Sequence, residues 1–167
     1  MGAVSDTDPD QMRRKRRLHA AVRESLRDMS IQLSLLNHYV GGRLGLKGTD
    51  LECFSLIEAH APVTPSELAR LSGLHPATMT GILDRLERGG WITRDRDSVD
   101  RRGVKIRPLE TRVADVKQLY SGMAVAMDEI CAEYDEGELA RMLEFLRRAT
   151  DAGRGVVADM AERGAPT

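Results

Sequence analysis

Residues 64–92 read TPSELARLSGLHPATMTGILDRLERGGWI, and this stretch decides the fold. Thr64, Pro65 and Glu67 combine an N-cap, a proline at the first helical position and a reciprocal Glu, which starts a short helix over Ser66–Leu71. Gly73 supplies a turn and Pro76 restarts a helix. Met79, Ile82, Leu83 and Leu86 mark the buried stripe of that second helix, and Gly89-Gly90 stops it. The period then changes to two. Trp91, Ile92, Thr93, Arg94, Asp95 and Arg96 lead into a polar loop, Asp97 to Gly103, and Val104 to Pro108 return with apolar and basic positions alternating. Upstream, Thr49 and Glu52 have capping-box spacing ahead of Leu51, Phe54, Leu56 and Ile57.

Helix, glycine turn, helix and basic ribbon form the layout of a winged helix-turn-helix. That layout suits double-stranded DNA. The major groove admits one helix, whose N-terminal residues meet base edges, and small side chains there allow close approach. His75, Pro76, Ala77, Thr78 and Thr80 occupy those positions, where free backbone amides also favour phosphate. From Trp91 to Arg107 six bases face three acids, and an arginine at the tip of such a loop suits a narrow minor groove. Asp100 lies two residues before Arg102, close enough to orient its guanidinium. Thr64, Ser66, Arg85, Arg96 and Arg101 complete the set expected at the DNA.

Outside this middle, three long segments carry helical stripes. Leu18, Val22, Leu26, Met29, Leu33, Leu36 and Val40 form the first, with Gly41-Gly42 read as its end. Val113, Val116, Tyr120, Met123, Met127, Ile130 and Tyr134 form the second. The third holds Leu139, Met142, Leu143, Leu146, Ala149, Val156 and Met160, with Gly153 and Gly155 read as interruptions and Asp135 and Glu138 at capping-box spacing before it. Helices this long exceed what one small lobe covers, so a second copy is the expected partner. The expected organisation is a basic, flexible tail over 1–17, a helical dimerisation domain from 18–45 and 110–162, and a winged helix-turn-helix domain over 46–109. The fold class is mainly α with a two- or three-stranded antiparallel β wing.

Net charge over the 167 residues is −1, but it is unevenly spread. Residues 66–112 carry ten bases and seven acids, while residues 113–167 carry six and eleven. A basic middle beside an acidic C-terminal third implies one face for a polyanion and another for a different partner. Arg13-Arg14-Lys15-Arg16-Arg17 stands before the first stripe, read as a solvated tail in preference to a phosphate contact. The polar, acidic first ten residues offer no secretory signal, and no apolar run is long enough for a membrane span, so a cytoplasmic location is expected. Cys53 and Cys131 form no disulfide framework and lack metal-ligand spacing. No cofactor, metal site or enzyme activity is expected, because no phosphate-cradling loop, nucleophile elbow or His/Asp/Glu cluster is present.

Together, Thr64-Pro-Ser-Glu-Leu-Ala, Leu83-Asp-Arg-Leu-Glu, Gly90-Trp-Ile, the wing string Asp97-Ser-Val-Asp-Arg-Arg-Gly and Val104-Lys-Ile-Arg-Pro-Leu resemble the multiple-antibiotic-resistance regulator (MarR) family over roughly residues 20–160. The resemblance implies a homodimeric, mostly repressive transcription factor. It implies further that Arg102 enters the minor groove supported by Asp100, and that His38 and Tyr39 lie near a small-molecule effector pocket. Four departures stand out. Gly81 replaces a frequent arginine on the recognition helix, and His75 fills a cap position usually held by an acid or serine. Leu109-Glu-Thr-Arg-Val alters entry into the next helix, and the basic run is an addition. Two rivals remain: a winged-helix protein–protein scaffold, which Gly81 favours, and a thiol-based redox sensor, which requires an exposed, activated Cys53 or Cys131.

Overall fold

The computed structural model describes residues 9–96 and 104–163. In chain order they form α1 (Pro9–Leu44), α2 (Gly48–His60), α3 (Pro65–Ser72), α4 (Pro76–Arg88), β1 (Ile92–Arg96), β2 (Val104–Pro108), α5 (Glu110–Cys131) and α6 (Glu136–Arg163). The fold is mainly helical with a β wing, as expected. β1 and β2 pair antiparallel from Ile92 opposite Pro108 to Arg96 opposite Val104. A single bridge from Val63 to Ile106 adds a third, one-residue strand.

The core sits in the winged lobe. Leu51, Phe54 and Ile57 of α2, Leu68 of α3, Met79, Ile82, Leu83 and Leu86 of α4, and Ile106 of β2 are all buried together. Trp91 closes this core where α4 hands over to β1. Its ring meets Phe54 edge-to-face at 5.4 Å, and the Arg112 guanidinium lies 4.7 Å from its centroid. Gly89 is required beside it, because a Cβ there would lie 2.8 Å from Trp91 Cδ1. Val40 of α1 and Val113 and Val116 of α5 reach into the same core. The Tyr120 hydroxyl donates to Asn37 Oδ1 at 2.6 Å and ties α5 to α1.

Local chemistry corrects four readings. The basic run 13–17 lies within α1 and not in a flexible tail, since α1 starts at Pro9; apart from Pro9, no helix breaker occurs from Asp10 to Val40. Gly41-Gly42 does not stop α1. The helix closes at Gly45, whose φ of 68° lets its N–H bond Gly42 O while Leu46 N–H bonds Gly41 O, a Schellman end. α2 starts one residue before Thr49, at Gly48, and its cap Lys47 makes no side-chain cap bond. Gly153 and Gly155 do not interrupt α6, which runs unbroken through them; single glycines weaken a helix by about 1 kcal/mol each without breaking it.

The outer helices contrast with the lobe. No described residue from 121 to 163 is buried. Met123, Met127 and Ile130 on α5, Leu143, Phe145 and Leu146 on α6, and Leu18, Val22 and Leu33 on α1 are exposed large apolar side chains. α5 is therefore divided: its first two turns complete the lobe, and the remainder is left exposed by the described residues.

Candidate nucleic-acid interface

The N-terminal turn of α4 lies on the lobe surface. Thr64 and Glu67 make the expected reciprocal box on α3, with the Thr64 amide donating to Glu67 Oε2 at 2.8 Å and the Glu67 amide donating to Thr64 Oγ1 at 3.3 Å. The Thr64 amide, and the Thr64 hydroxyl donating to Glu67 Oε2 at 2.8 Å, hold the Glu67 carboxyl below its ordinary pKa, with Lys105 and Arg70 adding a smaller pull in the same direction. Gly73, at φ 68°, then turns the chain. Ser72 Oγ donates to Leu68 O and accepts from the Leu74 amide, which fixes the path into α4.

His75 caps α4 through its ring. Nδ1 accepts from the Ala77 amide at 3.2 Å, so the imidazole takes the role of a serine or an acid there. Pro76, Ala77, Thr78 and Thr80 are all exposed. Thr80 Oγ1 donates to Pro76 O at 3.0 Å, leaving its lone pairs to accept from outside. Thr78 presents a hydroxyl able to donate and accept. The Ser66 side chain is exposed one turn before, on α3. Ser66, His75, Pro76, Ala77, Thr78 and Thr80 are thus open to solvent, while the Thr64 hydroxyl is committed to its own cap.

Arg85, expected at the DNA, is also paired within the lobe. Its Nε and Nη2 donate to the two Asp50 oxygens at 3.0 and 2.6 Å, and Asp50 is buried on α2. A buried carboxylate needs such a partner. Arg85 is therefore a brace between α4 and α2, with its Nη1 3.6 Å from where a Gly81 Cβ would stand. Arg94, counted among the wing bases, turns back to Asp84 at 2.6 Å and Glu87 at 3.4 Å and neutralises the acids on α4. Asp100, Arg101 and Arg102 lie outside the described residues, as does the side chain of Arg96.

The sequence reading missed Asp50 and Arg112. Asp50 carried a signal, an acid set within the apolar row Leu51, Cys53, Phe54, but its partner is 35 residues away. Arg112 covers Trp91 and donates to Gly90 O, a contact with no local signature.

The His38 and Tyr39 rings meet edge-to-face at 5.9 Å, and both line a pocket of about 330 Å³ with Gly42 and Arg43. His38 lines a groove of about 490 Å³ with Leu26, Met29, Leu33, Asn37 and Glu52. Tyr39 is 71% exposed and lies outside that groove. A neighbouring cavity of about 420 Å³ shares Asn37 and Glu52 and reaches Cys53, Ser72 and Leu74, at the turn before α4. Burial, with Asp50 and Glu52 nearby, pushes the Cys53 thiol up to about 11. That is the opposite of an activated thiolate. Cys131 is exposed.

Comparison with known proteins agrees with this layout. A family profile described as the MarR family matches residues 46–104. The uncharacterized HTH-type transcriptional regulator YcgE of Bacillus subtilis is 32% identical over 125 residues, covering 75% of this chain and 81% of that protein. The HTH-type transcriptional repressor YetL of the same organism is 29% identical over 126 residues, covering 73% and 74%. Among solved structures, a MarR family protein from Bacillus stearothermophilus has a TM-score of 0.63 at 20% identity, covering 82% of this chain and 96% of that one. The ligand-free MarR of E. coli has a TM-score of 0.53 at 23% identity, covering 75% and 95%.

Proposed function

The chain belongs to the MarR family of winged helix-turn-helix transcription regulators, and from that premise we propose that it works in the cytoplasm as a homodimeric repressor of double-stranded DNA, released by a small-molecule effector. One observation carries the DNA reading: the capped N-terminus of α4 is exposed from His75 to Thr78 while its other face is locked into the core. The uncovered stripes of α1, α5 and α6 support the dimer. Two lobes related by a two-fold axis then place two α4 helices in successive major grooves, reading a pseudo-palindromic operator. In this reading Thr78 and Thr80 meet bases or phosphates, Arg102 enters the minor groove, and Asp100 orients it.

The effector site is the groove at Asn37, His38 and Glu52. A molecule filling it and its neighbour touches Ser72 and Leu74, whose bonds set the entry of α4. It can therefore shift the recognition helix without touching DNA. Gly81 and the inward commitment of Arg85 favour a second reading, a winged-helix scaffold that no longer reads DNA.

Operator spacing separates the two. Half-sites should lie about 10 base pairs apart, and inserting about five base pairs between them puts them on opposite faces of the duplex. Tight binding should then be lost in a gel shift. Unchanged affinity for the insertion, or no binding to the neighbouring intergenic DNA, would contradict the dimeric operator reading.

A further inference from the structure

The Arg13–Arg17 run has no role in the winged lobe. It falls in the second and third turns of α1, where five consecutive bases go fully round the helix at 3.6 residues per turn. The apolar stripe is therefore broken between Met12 and Leu18. Arg13 with Arg16 and Arg17, and Arg14 with Arg17, repel at the spacings that face each other on a helix. They also stand toward the positive end of the α1 dipole, and no acid follows on α1 before Glu24. Among the described residues none of the five sits in an ion pair.

The reverse arrangement occurs at the turn from α5 to α6. From Gln118 to Ala140 the chain has six acids and no base. Asp128 and Glu129 sit in the last turn of α5, at the negative end of its dipole, where no base compensates. Asp135 and Glu138 are committed to each other's amides at the start of α6. Asp128, Glu129, Glu133 and Glu136 remain exposed with no ion pair among the described residues. Arg13–Arg17 and the pair Asp128 and Glu129 thus oppose the dipoles of α1 and α5, with opposite signs.

Length decides who pairs with whom. Arg17 lies about 30 Å along α1 from Asn37, where Tyr120 ties α1 to α5, whereas α5 continues only about 17 Å past Tyr120 to its end. The basic collar outruns its own acidic elbow. It also lies at the opposite end of α1 from the lobe that carries α4. A second copy, joined through the apolar stripe that begins at Leu18, places each collar past the seam and on the other subunit's side.

We infer that the collar Arg13–Arg17 of one subunit docks on the acidic elbow Asp128–Glu136 of the second copy, forming an electrostatic clasp on the dimer. This rests on the dimer proposed above. The clasp adds charge complementarity to an apolar seam, and so fixes the partner and register more than it adds affinity.

The test is a charge swap on the full chain. One variant carries Arg14→Glu, Arg16→Glu and Arg17→Glu; a second carries Asp128→Arg, Glu129→Arg and Glu133→Arg; a third carries all six. All six positions are exposed, and circular dichroism checks that each variant keeps its helices. Sedimentation gives the dimer dissociation constant at about 0.05 M and about 0.5 M salt, where screening lengths differ about threefold. Each single-sided variant should dimerise about tenfold more weakly than wild type at low salt, and by much less at high salt. The six-fold variant should recover to within about threefold of wild type. Single-sided variants that dimerise like wild type, or a six-fold variant that fails to recover, overturn the clasp and leave the dimer standing. Collar variants that lose only DNA affinity likewise overturn it, in favour of a DNA arm. A monomeric wild type overturns both the clasp and the dimer.

Discussion

Leu83 and Leu86 of α4 keep 1% and 0% of their surface exposed, whereas Leu143 and Leu146 of α6 keep 47% and 45%. All four are leucines on amphipathic helices. The difference lies in what the chain offers each helix. α4 is boxed in by α2, α3 and the wing, so its stripe is satisfied internally. α6 has no comparable cover, and α5 changes from one condition to the other within one helix, between Val116 and Met123. The winged lobe is a finished fold; the outer helices leave their apolar stripes uncovered by the described residues. Exposed apolar stripes of this kind are what the dimer proposed above would cover.

The largest effect expected from this contrast is at the lobe. Leu86→Ala should cost about 2–5 kcal/mol of stability, because the buried site cannot collapse around the missing atoms. Leu146→Ala should leave the lobe's own stability within about 0.5 kcal/mol and instead weaken dimerisation. Denaturant unfolding together with sedimentation tells the two apart. Equal losses of lobe stability would erase the distinction.

The brace between α2 and α4 comes next. Arg85→Ala leaves Asp50 buried without its partner and should destabilise the lobe by about 1–3 kcal/mol, less than a fully buried pair because Arg85 itself is 39% exposed. As a brace, Arg85 should affect operator affinity only through the folded fraction. A large loss of affinity with unchanged stability would return it to the DNA surface.

The smallest effect separates the two cysteines. The Cys53 thiol, held near 11, stays protonated in the folded lobe at pH values where an unfolded thiol ionises, from an ordinary value near 9.0. Its contribution to stability is therefore complete below about pH 9 and is lost as pH rises toward 11. Iodoacetamide at neutral pH should label exposed Cys131 and spare Cys53 in the native protein. Rapid native labelling of Cys53 would show that the lobe opens there.

Features whose cause lies within a few residues were legible in the sequence. The Thr64–Glu67 box, the His75 cap, the Gly73 turn, the stop at Gly89-Gly90 and the paired strands of the wing all follow from local chemistry. Features set by distant partners were not. Arg85 reads as a free base until Asp50 is folded against it, and Arg94 as a wing cation until Asp84 and Glu87 meet it. Gly41-Gly42 reads as a helix stop, yet the helix passes through because the left-handed residue is Gly45. The outer stripes were visible, but a stripe alone says only that something must cover it. That none of the described residues does so required the folded lobe.

The mass in solution tests that central point most directly. At micromolar concentration, light scattering on the wild-type chain should give about twice 18.5 kDa. Met127→Arg, which places a charge in the uncovered half of α5, should give 18.5 kDa with the lobe still folded. A wild-type mass of 18.5 kDa under those conditions would contradict the account, because the apolar faces of α1, α5 and α6 would then stand in water with no partner.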